Sequence, residues 1–359
     1  MFQINKTGIE IASGYVNLSE TGLTETGVSI VRVYNTLVLL TGLLGNTLVL
    51  SGLLDNSVMS IDRTSRILLQ NLAVTDIFYT VFQFLPSLTT LIARRWVFGT
   101  IFCLVDHIAA NIFAVNEIHV IMVLSVYRLW FIHQRLGRAS TASSNRTRWF
   151  VVGLFCHDVV VNVGYHITNI PQTDYDNQVL SCRVVRSTNH WLPVVLGLYN
   201  IVIPIFTTVV ANGVTICTIL RVYTQKQAPS RPYKKATLII LAISITSLIS
   251  YIPFFVEMFT PNKKSLPVWY PVTSMYSLSV SIVCNPFIYA IVDREFINYI
   301  KELFLTVIYK MLVCVDWCWN KMYGNEAFSE DMTSEVNSFE LGHMGNVRGY
   351  RYQLQGRTA

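Results

Sequence analysis

"LYNIVIPIFTTVVANGVTICTIL" (Leu198–Leu220) is the stretch on which the fold turns. It contains no Asp, Glu, Lys or Arg. As a helix rising 1.5 Å per residue it would reach about 34 Å, enough to cross a hydrocarbon layer of about 30 Å. Six further blocks of comparable length flank it, at about 30–54, 66–91, 101–131, 149–170, 235–259 and 268–292, with a seventh span at about 191–223 enclosing the quoted stretch. The weakest is the fourth, "VVGLFCHDVVVNVGYHI", interrupted by His157, Asp158 and Asn162. Composition agrees: the 359 residues are 52% hydrophobic and 13% charged, with a mean hydropathy of +0.45. Soluble domains carry about 25% charged residues, so this chain cannot clothe itself for water. Open sheet edges cannot sit in lipid, so the spans are helices. The expected fold is an all-α membrane protein, a seven-transmembrane helix bundle.

Orientation follows from the basic residues. With the N-terminus outside, eleven Lys and Arg fall on the inner loops and helix ends (among them Arg63, Arg66, Arg135, Lys234 and Lys235), against six outside (Arg94, Arg95, Arg183, Arg186, Lys263 and Lys264). The expected chain is a multi-pass membrane protein with its N-terminus outside. The net charge of +6 gathers on the inner face, which suits anionic lipid or an acidic partner rather than nucleic acid. The expected organisation is an extracellular tail over 1–29, the bundle over 30–292, a short amphipathic interfacial helix over 293–312, and a polar cytoplasmic tail over 313–359. The first tail carries glycosylation sequons at Asn5 and Asn17. No cleavable signal peptide is evident.

Ionisable residues inside spans are functional candidates, since each costs about 2.5–3.5 kcal/mol there. Asp76 and Glu117 lie mid-span, Arg128 near an inner end, and Asn46 and Asn285 add polar groups; a hydrogen bond between helices would explain each one equally well. Pro86, Pro204, Pro253 and Pro286 interrupt spans and suit helices that bend. Of seven cysteines only Cys103 and Cys182 lie on the oxidising side, where a disulfide would pin the second outer loop over the bundle. Cys314 and Cys318, one helical turn apart beside the inner interface, are candidates for lipidation.

The ordered set "GN" (Gly45–Asn46), "NLAVTD" (Asn71–Asp76), "WVFG" (Trp96–Gly99) before Cys103, Pro204, "SYIP" (Ser250–Pro253) and "NPFIY" (Asn285–Tyr289) before Phe296 resembles the signature of rhodopsin-like G-protein-coupled receptors. The resemblance covers about residues 30–305. It implies a receptor, not an enzyme, which binds an extracellular ligand and signals to a heterotrimeric G protein, and to arrestin, by outward movement of helix six. Asn46, Asp76 and Asn285 resemble the family's polar cluster, which holds sodium; Tyr289, beside Pro286, resembles the tyrosine that swings inward. Arg128 resembles the arginine that meets the G protein.

The departures are specific. Tyr127 stands where the family has an acid before the arginine, and Leu129 where it has a tyrosine. Tyr233–Lys235 offers no carboxylate in their stead. The expectation is an arginine held loosely at rest, with raised basal signalling. Tyr251 replaces a tryptophan, Ser247 a phenylalanine, and the fourth span lacks its tryptophan. Glu117 replaces a small hydroxyl residue, so two carboxylates, Asp76 and Glu117, would share a proton or a cation such as sodium.

The ligand is not specified. Ala110 occupies the aspartate position of amine receptors, and no lysine lies between Lys264 and Lys301, so covalent retinal is not expected. Asp106, Asn111, Tyr251, Phe254 and Glu257 are the candidate pocket residues for a peptide or small molecule. A seven-helix receptor that does not couple to G protein is the alternative; a transporter would show repeats or paired broken helices, and none is seen.

Overall fold

The structure is a computed structural model that describes residues 24–135, 144–169, 172–176, 180–186, 191–224, 231–260, 266–267 and 269–322. Asn5, Asn17 and the tail beyond Met322 lie outside these residues. Seven described helices are long and apolar enough to cross a membrane. They are α1 (Glu25–Leu54), α2 (Arg63–Ala93), α3 (Gly99–Arg135), α4 (Ser144–Asn169), α5 (Trp191–Thr224), α6 (Arg231–Phe259) and α7 (Tyr270–Val292). An eighth helix, α8 (Arg294–Met322), follows.

Capping fixes the ends. Thr24 accepts from the Gly27 amide (3.2 Å) at the start of α1, and Asp62 accepts from the Ser65 amide (3.1 Å) at the start of α2. Arg94, in the left-handed region at φ 55°, closes α2. Asp293 is extended and separates α7 from α8, its carboxylate accepting from the Glu295 amide at 3.0 Å. Pro86, Pro253 and Pro286 lie inside α2, α6 and α7, and π turns interrupt α1 at Thr41–Gly45 and α5 at Leu198–Val202. The extra residue in each π turn re-aims the helix face that follows.

Two departures from the expected all-α organisation appear. The loop between α4 and α5 forms an antiparallel hairpin, β1 (Gln172–Asp176) with β2 (Ser181–Arg186), in which Tyr175 faces Cys182 and Asp174 faces Arg183. Its turn residue Leu180 is fully buried in a cluster with Val28, Tyr79, Phe84, Ala110 and Tyr276. The interfacial helix runs to Met322, past the expected boundary at 312, and α1 begins at Glu25, inside the expected tail. The chain divides into two units, Met1–Ile297 and Asn298–Ala359. Within the second, Phe304, Leu305, Ile308, Met311, Leu312, Val315 and Trp319 are exposed at helical spacing, one apolar stripe.

Small residues let helices approach. A Cβ on Gly45 would lie 2.5 Å from the Pro286 ring, and one on Gly42 would lie 2.5 Å from the Thr80 hydroxyl. Gly153, by contrast, has nothing within 4 Å of such a Cβ. Gly45→Ala is therefore expected to overpack the α1–α7 contact and destabilise the bundle by about 1–3 kcal/mol, whereas Gly153→Ala leaves it unchanged or slightly firmer. Thermal unfolding of the two purified variants beside wild type checks this.

Candidate functional site

The end of the bundle opposite the hairpin contains the largest fully buried side chain, Arg128, only 1% exposed. The guanidinium of an arginine stays charged in any protein, so it needs an anion. Asp62 supplies it: Arg128 Nη2 donates to Asp62 Oδ1 at 2.8 Å and to Ser65 Oγ at 3.2 Å. Tyr127 donates its hydroxyl to the other carboxylate oxygen at 3.0 Å. The Phe131 ring lies 5.7 Å from the guanidinium carbon. The expectation of a loosely held arginine is thus corrected. The acid absent from position 127 sits instead on the neighbouring helix, as the cap of α2, and Tyr127 orients it.

A second contact holds the same end. Lys235, on the first turns of α6, donates to Asp293 Oδ1 at 2.9 Å and lies 3.3 Å from Glu295 Oε2. Asp293 is fully buried. Although Tyr233–Lys235 contains no carboxylate, it does contain a cation, and α6 is tied to the α7–α8 junction rather than to Arg128. Beside this junction, the Tyr289 ring packs edge-on against Phe296, with centroids 6.1 Å apart.

In the middle, Asn285 Nδ2 donates to Asp76 Oδ2 at 2.7 Å, and Ser281 donates to Glu117 Oε1 at 2.7 Å. Asn46 Nδ2 donates to the Ile282 carbonyl at 3.3 Å. Oδ1 atoms of Asn46, Asp76 and Asn285 are buried without a protein hydrogen bond. Of the expected cluster, Asp76 and Asn285 are bonded directly, while Asn46 and Glu117 each bond α7 at another residue.

Against this geometry the comparisons are decisive. The family model described as "7 transmembrane receptor (rhodopsin family)" matches residues 45–289. This chain belongs to the rhodopsin family of seven-transmembrane receptors. A "Rhodopsin, GQ-coupled" of Mizuhopecten yessoensis is 23% identical over 300 residues, covering 76% of this chain but only 59% of that protein. "Galanin receptor 2b" of Danio rerio is 25% identical over 311 residues, covering 83% of this chain and 81% of that one. Squid rhodopsin shares the fold, with a TM-score of 0.66 at 16% identity over 84% of this chain and 87% of that chain.

At the hairpin end of this family member, Cys103 and Cys182 form the expected disulfide, Cα–Cα 5.4 Å, joining α3 to β2. His107 Nδ1 lies 3.0 Å from the Cys182 carbonyl, and Gln83 donates to Ser181 Oγ at 3.1 Å. Arg183 pairs with Asp176 across the hairpin. The Tyr175 ring stacks on Trp96, and burial pushes its phenol well above the usual range, so it stays neutral. The candidate pocket residues divide. Asp106 is 3% exposed, one turn along α3 from Cys103, and thus no solvated rim charge. Asn111 donates to the His107 carbonyl of its own helix at 2.8 Å. Glu257 accepts from Ser274 across α6 and α7. Tyr251 is buried against Ile118 and Leu278, with Phe254 packed on the same cluster. Below Tyr251, a cavity lined by Ile121, Thr208, Ser244 and Ser247 opens between α3, α5 and α6.

Asp62 was not among the residues that the sequence singled out, and Lys235 entered only as one of the inner cations. The available signal was an acid at the start of a span on the same face as a buried arginine. Asp62→Asn is expected to destabilise the chain by about 1–2 kcal/mol, less than a fully buried pair because Asp62 is 24% exposed. Tyr127→Asp added to that variant is expected to restore most of the loss, since it returns a carboxylate to the adjoining turn. Thermal unfolding of the single and double variants measures both.

Proposed function

We propose that this chain is a plasma-membrane receptor, N-terminus outside, that couples an extracellular ligand to a heterotrimeric G protein through outward movement of α6. The observation that carries the reading is the arrangement around Arg128. A buried cation sits at one end of the bundle, where α6 is held by ion pairs of Lys235 with Asp293 and Glu295 that are polar and separable. Pro253 within α6 provides a pivot. The disulfide supports the orientation, because cysteine pairs persist on the oxidising side.

Among ligand classes a peptide is favoured. One relative is a galanin receptor, Ala110 replaces the aspartate of amine receptors, and α7 contains no lysine for a retinal Schiff base despite the relatives named rhodopsin. Arrestin and anionic lipid are the further partners proposed at the basic end, with Cys314 and Cys318 as lipid attachment points. Both are exposed on α8.

A sodium ion fits the polar pocket, where Asp76 and Glu117 supply negative charge and the spare Oδ1 atoms of Asn46, Asp76 and Asn285 supply acceptors. When bound it would neutralise carboxylates that are otherwise costly in a dry interior.

Asp62→Asn and Lys235→Ala are each expected to raise ligand-independent second-messenger output by roughly 5- to 30-fold, the shift that 1–2 kcal/mol produces. Arg128→Ala is expected to abolish G-protein recruitment while surface expression persists. A peptide-library screen read by G-protein and arrestin recruitment tests the coupling; arrestin recruitment without any G protein would overturn it. For the ion, sodium chloride should raise the thermal stability of wild type above that in N-methylglucamine chloride at equal ionic strength. Asp76→Asn should remove that difference and Glu117→Ser reduce it.

A further inference from the structure

On the α3–α4–α5 side lies a second polar centre, which none of the activation contacts uses. Asp158 is fully buried near the middle of α4. Its Oδ1 lies 2.8 Å from His119 Nδ1 on α3 and 3.0 Å from His157 Nδ1 on its own helix. The three atoms all fall within 4.8 Å of one another. In the sequence the pair His157–Asp158 stood alone; the fold brings His119 to it.

Two imidazole nitrogens and one carboxylate oxygen form the donor set of a borderline transition-metal ion. Calcium and magnesium prefer oxygen alone. Around a four-coordinate zinc with bonds of about 2.0–2.1 Å, ligand atoms stand about 3.4 Å apart. The two spacings to the Asp158 oxygen, 2.8 and 3.0 Å, need to open by roughly half an ångström.

In a built metal site outer partners fix the ligands, and here Asp158 and His157 each have one. Asn116 Nδ2 donates to the second Asp158 oxygen at 2.9 Å. Asn116 is itself fixed, its Oδ1 accepting from Asn71 at 3.1 Å and from Thr75 at 2.8 Å. His157 Nε2 lies 3.1 Å from the Tyr199 hydroxyl on α5. With a metal on Nδ1, His157 holds its proton on Nε2 and donates it to Tyr199.

Charge argues in the same direction. Among the described residues, the ion pairs of Asp158 are with these two histidines and with no Lys or Arg. A carboxylate in a dry interior must be neutralised by a proton, a cationic imidazole or a metal. Two Nδ1 atoms converging on one oxygen suit the metal, which binds all three at once.

We propose that His119, His157 and Asp158 form a binding site for a divalent transition-metal ion of the zinc class, which staples α3 to α4. His157, 37% exposed, is the open edge of the site. The site is independent of whether the chain signals to a G protein.

The test uses the full-length protein purified in detergent and stripped with a chelator. Titration with Co²⁺ should give one equivalent with the intense visible bands of a four-coordinate site, displaced by Zn²⁺. Zn²⁺ should also raise the thermal unfolding temperature. His157→Gln, on the exposed edge where folding is least at risk, should lose the bands. Asn116→Ala should weaken binding by about 10- to 100-fold. If His157→Gln binds cobalt as wild type does, the metal sits elsewhere and the proposal fails. It fails equally if wild type shows no bands, in which case the triad is a hydrogen-bonded strut alone.

Discussion

Hydrocarbon gives an ionised side chain no water to fall back on, so each buried charge of this bundle must find its partner within the protein. That constraint organises the helix contacts. Arg128 draws Asp62 across from α2, and Tyr127 locks the acid in place. Lys235 draws Asp293 and Glu295. Asp158 draws two imidazoles and an asparagine. Generic apolar packing gives helices little reason to prefer one rotation over another in lipid; these polar pairs do. Close approaches at Gly42 and Gly45 then set the depth to which α1 sinks against α2 and α7.

Read as a circuit, the end bearing Arg128 has two separate catches. One fastens α3 to α2 and the other fastens α6 to the α7–α8 junction. The two catches rest on different residues and on different pairs of helices. Removing a carboxylate from α3 has therefore not removed the restraint on its arginine. It has moved the restraint to a neighbour that also caps a helix, so opening this catch disturbs the first turn of α2 as well.

The seven spans were legible because membrane length and charge depletion are local properties. The disulfide was legible because only two cysteines fell on one side. What escaped was non-local. Asp62 and Arg128 are separated by 66 positions, and Lys235 and Asp293 by 58, so inspection of adjacent residues could not pair them. The fourth span looked weak because its polar residues were counted against lipid, whereas Asp158 turns inward. The hairpin was missed because its strands are five and six residues long, too short to show alternation. The helix after α7 was cut short at 312, although its apolar spacing continues through Val315 and Trp319.

The buried Leu180 has a consequence for measurement. Leu180 occupies the cluster that contains Ala110 and Tyr276, so the chain is its own first occupant at that end. A molecule that reaches those residues must first dislodge the leucine, and the disulfide keeps the displaced turn nearby to compete for return. Apparent affinity is then the intrinsic affinity multiplied by the fraction of molecules whose turn is already out. Variants that loosen the hairpin would tighten binding without touching the ligand.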